Sequence, residues 1–331
     1  VTEHITDGDH QPAPKSDSGV LFVKIKDIQD NRLTFDNALF VPQEYYNRLP
    51  KNRKAEYGDT LYTVVGSYGI PAFVNHNIPF CFERNIALLH PNNRVIPKYL
   101  YYAVNNRIFY GNANNIANGS AQKLIPLSKL AGMEISVPPI ERQETIVNIL
   151  SAYDDLIENN QKQIKLLEEA AQRLYKEWFI DLRFPGHENV KIVDGVPEGW
   201  ERMVLSEVTS ILKRGISPKY SDNGKYSVIN QKCIRSSIMD ISESRRQEKE
   251  YVPTLNLQDS DTVICSTGTG TLGRVGRVYG DYPNTTFDSH VTLVRAKENP
   301  NYIYHVVKSQ QEYLMGCLLY TSPSPRDYAA S

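Results

Sequence analysis

The 331-residue chain lacks several features that mark large classes of protein. Its four cysteines, Cys81, Cys233, Cys265 and Cys317, show no Cys-x-x-Cys spacing, which argues against a zinc site or a disulfide framework and favours reduced thiols. It has no run of 18 apolar residues and no basic, apolar start, so neither a membrane span nor a signal peptide is expected. These absences favour a cytoplasmic protein. Because the chain does not start with Met, we expect it to begin inside a longer protein.

Catalytic and cofactor motifs are also missing. There is no Walker lysine motif for ATP, and His4 and His10 lack a second pair of metal ligands. The segment Asn77-Ile78-Pro79-Phe80 resembles the N-P-P-F/Y tetrapeptide of amino-methyltransferases, but its first proline is absent and no glycine-rich cofactor motif precedes it. We therefore expect no catalytic residue, no metal and no cofactor in this chain.

One glycine-rich segment matches a dinucleotide-binding pattern. Residues 268–273 read GTGTLG, but residues 274–279 alternate like a strand, whereas a dinucleotide site needs a helix to open there. We expect a hairpin or a loop.

The formal net charge of −1 divides into +2 for residues 1–140, −4 for 141–181 and +1 for 182–331. A total near zero can conceal local basic faces, so charge alone assigns no partner.

The strongest pattern present is a long heptad repeat over residues 141–180. Apolar residues recur at alternating steps of four and three, which predicts a helix on the order of 60 Å long with a narrow apolar seam. Such a seam favours coiled-coil pairing with a partner helix over an ordinary buried helix, and Asn160 on it would favour one register. The predicted seam comprises Ile146, Leu150, Tyr153, Ile157, Asn160, Ile164, Leu167, Ala171, Leu174 and Trp178.

The segments on either side of this helix resemble each other. Three blocks recur in the same order at shifts of about 200 residues, marked by Gly19 and Gly224, Asp59 and Asp261, and Tyr99 and Tyr302. Each segment is mostly short β-branched and aromatic runs, followed by a helix that starts at a proline. The predicted strands are residues 21–28, 60–65, 72–75 and 86–90, then 227–229, 262–266, 274–279 and 291–295; the helices are 97–105 and 300–309.

Five segments between residues 125 and 208 carry a family resemblance. They are IPLSKL at 125–130, ISVPPIERQ at 135–143, YKEWFIDLRFPG at 175–186, VPEGW at 196–200 and LSEV at 205–208. As a set they closely resemble the central region of specificity (S) subunits of type I restriction–modification enzymes. The two repeated segments fit the two target recognition domains of that family.

The resemblance implies an α+β fold with two repeated β-rich target recognition domains joined by a long coiled-coil-forming helix. The first domain would span 1–138 and be incomplete at its N-terminus, the central conserved helix 139–184, and the second domain 185–315. The family's second helix, which packs antiparallel on the first, has no counterpart in residues 316–331. We expect that Ser/Pro-rich tail to be disordered and not native to the protein.

The resemblance also implies a function. The chain would be a non-catalytic subunit, each of whose lobes reads one half of a bipartite site in double-stranded DNA. It would dock two methyltransferase (M) subunits, which carry S-adenosylmethionine, and restriction (R) subunits, which use ATP and Mg.

Two alternatives remain open, namely an enzyme that acts alone and an adaptor whose coiled coil serves assembly only.

Candidate DNA-contacting residues are polar loop residues at matching places in the two lobes, and each could equally be a solvated turn former. They are Lys24, Ser67, Tyr68, Arg84, Asn85, Asn118, Ser120 and Gln122 in the first lobe, and Asn230, Gln231, Lys232, Thr267, Thr269, Arg274 and His290 in the second. Tyr99, Tyr101 and Tyr102 are expected in the core.

Overall fold

A computed structural model describes residues 1–36, 38–119, 123–268 and 270–321, with side chains as far as residue 316. The chain divides into two compact units, Val1–Lys162 (the first unit) and Gln163–Ser331 (the second unit). This division falls within the long helix. The predicted domain boundaries at 138/139 and 184/185 therefore stay predictions.

The first unit contains a four-stranded antiparallel sheet, in the order β1-β9-β6-β7, and a three-stranded mixed sheet, in the order β5-β2-β8. Its strands are β1 Thr2–Asp7, β2 Val20–Val23, β3 Ile28–Gln29, β4 Arg32–Leu33, β5 Leu39–Val41, β6 Thr60–Thr63, β7 Pro71–Phe73, β8 Phe80–Phe82 and β9 Ile86–Pro91. Its helices are α1 Gln43–Arg48, α2 Pro97–Val104, α3 Arg107–Ile116, α4 Leu127–Ala131 and the first part of α5 Ile140–Tyr175.

The second unit repeats both sheets, in the orders β12-β18-β15-β16 and β14-β13-β17. Its strands are β10 Ile192–Val193, β11 Val196–Pro197, β12 Thr209–Arg214, β13 Tyr226–Ile229, β14 Arg245–Gln247, β15 Thr262–Cys265, β16 Val275–Arg277, β17 Thr285–Phe287 and β18 Val291–Ala296. Its helices are α6 Leu205–Val208, α7 Pro300–Ser309 and α8 Gln311–Thr321.

The predicted repeat is confirmed by this topology. In both units the small sheet has one parallel pair, β2 with β8 and β13 with β17. In the larger sheet, the edge strands β1 and β12 each show a shift of pairing register near their start. Asp59 and Asp261 stand directly before β6 and β15, and both are 1% exposed. Asp59 binds His90 on β9 at 2.6 Å, and Asp261 binds Arg295 on β18 at 2.8 Å, so the buried carboxylate has a cationic or polar partner in both units.

The long helix predicted over residues 141–180 is present as α5 and a π-helical turn, Lys176–Ile180, that follows it. Most of the predicted seam is exposed: Leu150 is 38%, Tyr153 64% and Leu167 70% accessible. Ile146, near the start of α5, instead packs against the core of the first unit. The structure therefore provides an apolar helical face, whereas coiled-coil pairing stays a prediction.

Gln143 explains why the sequence Pro-Pro-Ile-Glu-Arg-Gln opens this helix. Its side chain is 1% exposed and forms three hydrogen bonds with backbone groups. Its Oε1 accepts from the Ile96 N–H at 2.9 Å, and its Nε2 donates to the carbonyls of Arg94 at 3.1 Å and Pro138 at 2.8 Å. One glutamine thus fastens the start of α5 to the chain just before α2.

Two sequence predictions need correction. The run 21–28 is not one strand, because the Asp27 carboxylate accepts from the Lys24 N–H at 2.9 Å and closes a 3₁₀ turn that separates β2 from β3. The tail predicted to be disordered from residue 316 is helical as far as Thr321, since α8 continues directly from the turn after α7. Residues 322–331 lie outside the described residues.

The hairpin and the start of the last predicted helix are confirmed. β15 and β16 form a hairpin, with residues 268 and 270–273 in its loop, and α7 begins at Pro300. Cys81, Cys233 and Cys265 are buried and free of disulfides. In the part of the chain that the structure describes, no cluster of three potential metal ligands occurs, and no helix is long and apolar enough to cross a membrane.

Replacing Gln143 should destabilise the first unit. Gln143→Leu leaves the Ile96 N–H and two carbonyls without their partner, and we expect a loss of about 3 kcal/mol in the free energy of unfolding. The control is Gln161→Leu on the same helix, where the exposed glutamine contacts Arg32 and a loss below about 1 kcal/mol is expected. Urea unfolding followed by circular dichroism measures both. Equal losses would contradict the role of Gln143.

Candidate nucleic-acid interface

In both units, polar side chains follow the parallel strand pair of the small sheet. Lys24 follows β2, and Glu83, Arg84 and Asn85 follow β8. In the second unit, Asn230 follows β13, and Asp288, Ser289 and His290 follow β17. Parallel strands end at the same edge of a sheet, so these residues meet at one place in each unit. The predicted candidates Lys24 and Asn230, and likewise Asn85 and His290, occupy matching positions.

A glycine brings the long edge strand close to this place in both units. A Cβ atom on Gly8 would lie 2.0 Å from the Phe82 carbonyl oxygen, and one on Gly215 would lie 2.2 Å from that of Phe287. Neither position can carry a side chain without moving backbone. Residues 9 and 216 then pair in parallel with Glu83 and Asp288. The pair Gly8 and Gly215, 207 residues apart, extends the repeat and could have been found from the sequence.

The first unit has two neighbouring clefts at this strand edge. One, of about 410 Å³, is lined by polar residues that include Asp9, His10, Lys15, Lys24, Arg84 and Asn85. The other, of about 450 Å³, shares His10, Arg84 and Asn85 with it. The Glu83 carboxylate accepts from the Ile25 N–H at 2.8 Å, which fixes the turn after Lys24. Three predicted candidates, Lys24, Arg84 and Asn85, are therefore brought together.

Other candidates of the first unit form a second polar patch. The Tyr68 hydroxyl and Lys123 Nζ, the latter at 3.1 Å, both donate to Asn114 Oδ1, and the Tyr68 ring stacks on Tyr110. Asn118 exchanges backbone hydrogen bonds with Leu124 in the adjoining loop, and Ser67 is exposed beside Tyr68. Ser120 and Gln122 lie outside the described residues. Tyr99 and Tyr101 are buried as predicted, and Tyr102 is partly buried with its hydroxyl on Asp154.

In the second unit, the candidates His290 and Thr267 are linked to Asp288 by hydrogen bonds. This carboxylate is 1% exposed and accepts from the His290 N–H at 2.8 Å. The His290 ring in turn hydrogen-bonds the Thr267 hydroxyl in the β15–β16 hairpin. Burial raises the pKa of Asp288 above its ordinary value of 3.8. Asp288 thus orients the turn that carries His290.

The remaining candidates of the second unit differ in their roles. Asn230 is buried, and its side chain accepts from the Lys232 N–H at 2.8 Å, so it also forms the turn. The Gln231 side chain lies beside the hairpin: its Nε2 atom is 3.1 Å from the place that a Cβ atom on Gly268 would occupy. Lys232 is exposed. Arg274 is at the base of the hairpin, where its carbonyl accepts from Cys265. Thr269 lies outside the described residues.

Sequence reasoning missed a tyrosine–arginine pair at this site. The Arg245 guanidinium lies 3.6 Å from the centre of the Tyr220 ring. Burial raises the pKa of Tyr220, and the charge of the nearby Asp288 carboxylate raises it further. Among the described residues of the first unit the pair has no counterpart, so the repeated blocks of the sequence could not reveal it.

Comparison with known proteins assigns the family. The family model described as type I restriction modification DNA specificity domain matches this chain twice, at residues 20–169 and 197–324. The chain belongs to this family. The resemblance drawn from the sequence is confirmed, and with it the assignment to a family of specificity subunits rather than of enzymes.

Individual relatives agree with this assignment. The type I restriction enzyme MjaIX specificity subunit of Methanocaldococcus jannaschii is 33% identical over 172 residues, covering 48% of this chain and 40% of that protein. The putative MjaX specificity subunit of the same organism is 28% identical over 243 residues, covering 68% and 55%. The chain thus spans about half the length of these relatives. The crystal structure of a type I restriction–modification system S subunit from M. genitalium has the same fold, with 16% identity, a TM-score of 0.50 and coverage of 98% of this chain and 79% of that chain.

The raised pKa of Asp288 predicts a pH dependence. Because the folded state favours the protonated carboxyl, its contribution to stability is full below the unfolded pKa and is lost as pH rises through the folded pKa. Asp288→Asn does not titrate and keeps an oxygen for the His290 N–H. Its stability relative to the natural chain should therefore rise as the pH increases from about 4 through the folded pKa of Asp288, as measured by urea unfolding. The exposed Asp222→Asn is the control, and a fall with pH would contradict the account.

Proposed function

We propose that this chain is a non-catalytic subunit of a type I restriction–modification complex and recognises DNA sequence. Each unit reads one half of a bipartite site in double-stranded DNA. The observation that carries this proposal is that two units with one topology present different polar side chains at the same strand ends. Membership of the specificity-domain family supports it.

The chemistry of these strand ends suits sequence recognition. Side chains that read bases need donors and acceptors on a fixed backbone, while cationic side chains hold phosphates and set the register. Lys24, Arg84 and Asn85 supply two cations and an amide at the clefts of the first unit. The exposed Lys232 and His290 supply a different set in the second unit. Two unlike sets predict two unlike half-sites, and the long helix α5 serves as the spacer between them.

The partners and cofactors follow from the same proposal. The exposed apolar seam of α5 pairs with a partner helix, because leaving its side chains in water costs free energy that burial would recover. The chain docks two methyltransferase subunits and restriction subunits in the cytoplasm. S-adenosylmethionine, ATP and Mg bind those partners, so purified chain mixed with S-adenosylmethionine and DNA transfers no methyl group. Methyl transfer by the chain alone would instead identify an enzyme.

Exchange of one unit distinguishes DNA recognition from an adaptor role. If residues 1–138 are replaced by the corresponding part of a relative with another target, one half of the recognised sequence should change and the other should stay. The measurement is the site that the complete complex methylates, and the natural chain is the control. A complex that keeps both halves of its target would show that the first unit does not read DNA.

Substitutions on the seam test the partner helix. The double variant Ile157→Lys and Ile164→Lys places charge on side chains that are 49% and 45% exposed, so the isolated chain should fold normally. The fraction of the chain found in the complex should fall at least about 10-fold, because two charges would enter an apolar helix interface. Sedimentation velocity measures assembly.

The matched control is Leu166→Lys, which lies on the same helix away from the seam and is 63% exposed. This variant should assemble like the natural chain. Normal assembly of the seam variant, or an equal defect in both, would argue against pairing through the seam.

A further inference from the structure

Arg245 in the second unit has a fixed side chain with unoccupied hydrogen-bond donors. It lies on β14, is exposed, and stacks on the ring of Tyr220 at 3.6 Å. Among the described residues, its guanidinium forms no hydrogen bond and no ion pair. Stacking restricts the side chain while leaving the edge of the guanidinium, with its N–H groups, open to a ligand.

The backbone at Tyr220 pairs with the strand that carries Arg245. Tyr220 pairs with Gln247, two residues beyond Arg245, and the next residue donates its N–H to the Arg246 carbonyl at 3.2 Å. The ring on which Arg245 stacks is therefore fixed by backbone pairing with β14, the strand that carries Arg245. Asn230 and the buried Asp288 lie close to the Tyr220 side chain.

The matching place in the first unit carries different chemistry. Arg245 stands opposite Val228 in the pairing of β14 with β13, and Leu39 stands opposite Phe22 in the pairing of β5 with β2. Leu39 therefore occupies the position of Arg245 and lines the cleft of about 410 Å³ beside Lys24 and Arg84. A shared framework with an arginine in one unit and a leucine in the other is expected of a position that determines specificity.

We propose that Arg245, positioned by Tyr220, reads a guanine in the half-site recognised by the second unit. This rests on the proposed function in DNA recognition. The planar guanidinium donates two parallel hydrogen bonds, which match O6 and N7 of guanine in the major groove. A flexible arginine would suffice for a phosphate, whereas bidentate contact with a base requires the fixed orientation that the Tyr220 ring provides.

The test selects bound sequences from a randomised DNA duplex library with the complete complex of this chain and its methyltransferase subunits. Arg245→Ala should lower the preference for guanine at one position of one half-site by about 10-fold or more, leaving the other half unchanged. Arg245→Lys keeps the charge but not the bidentate geometry and should show the same loss. Tyr220→Ala should relax the same position, as expected of a positioning residue.

Arg246→Ala is the matched control, because the adjacent side chain is equally charged and exposed but is directed to Ser227. It should keep the selected sequence. The proposal is overturned if Arg245→Ala leaves the sequence unchanged, or if it weakens binding to all sequences and Arg245→Lys restores it, as a phosphate contact would. If the natural complex selects no split sequence, the proposed function fails instead.

Discussion

The buried Asp288 carboxylate determines how the second unit presents its polar side chains. A carboxylate out of water must be hydrogen-bonded, and this one accepts from the His290 N–H at 2.8 Å. That bond directs the turn that carries His290 and its contact with Thr267. The same carboxylate lies close to Tyr220, the residue on which Arg245 stacks. The buried group thus lies where two polar side chains face outward, His290 on the turn after β17 and Arg245 on β14.

The first unit has a partly buried carboxylate at the matching place. Glu83 takes the position of Asp288, and its carboxylate holds the backbone after β2 rather than a tyrosine. Gly8 and Gly215 allow the edge strand to approach both sites equally closely. The backbone is therefore common to the two units, while the polar side chains differ, with Lys24 and Arg84 on one and Arg245 and His290 on the other. That separation of framework from surface is what the proposed reading of two unlike half-sites requires.

Sequence periodicity predicted the parts of the fold that depend on regular spacing. The heptads located α5, the prolines located the starts of α2 and α7, and the repeated blocks predicted matching strands. Edge strands β1 and β12 were missed, because their mixed polar residues lack a clear alternation. The site was predicted only in part: strand-end residues such as Asn85 and His290 follow from the repeat, whereas Tyr220 and Arg245 are 25 residues apart and meet only through the pairing of β14.

The central claim is that two units of one fold read two separate stretches of DNA. The most direct measurement is the set of methylated sequences in the source genome, compared with that of a strain lacking this gene. We expect a motif of two defined parts separated by unspecified bases, and we expect its methylation to disappear with the gene. A continuous motif, or a split motif that persists without the gene, would contradict the claim.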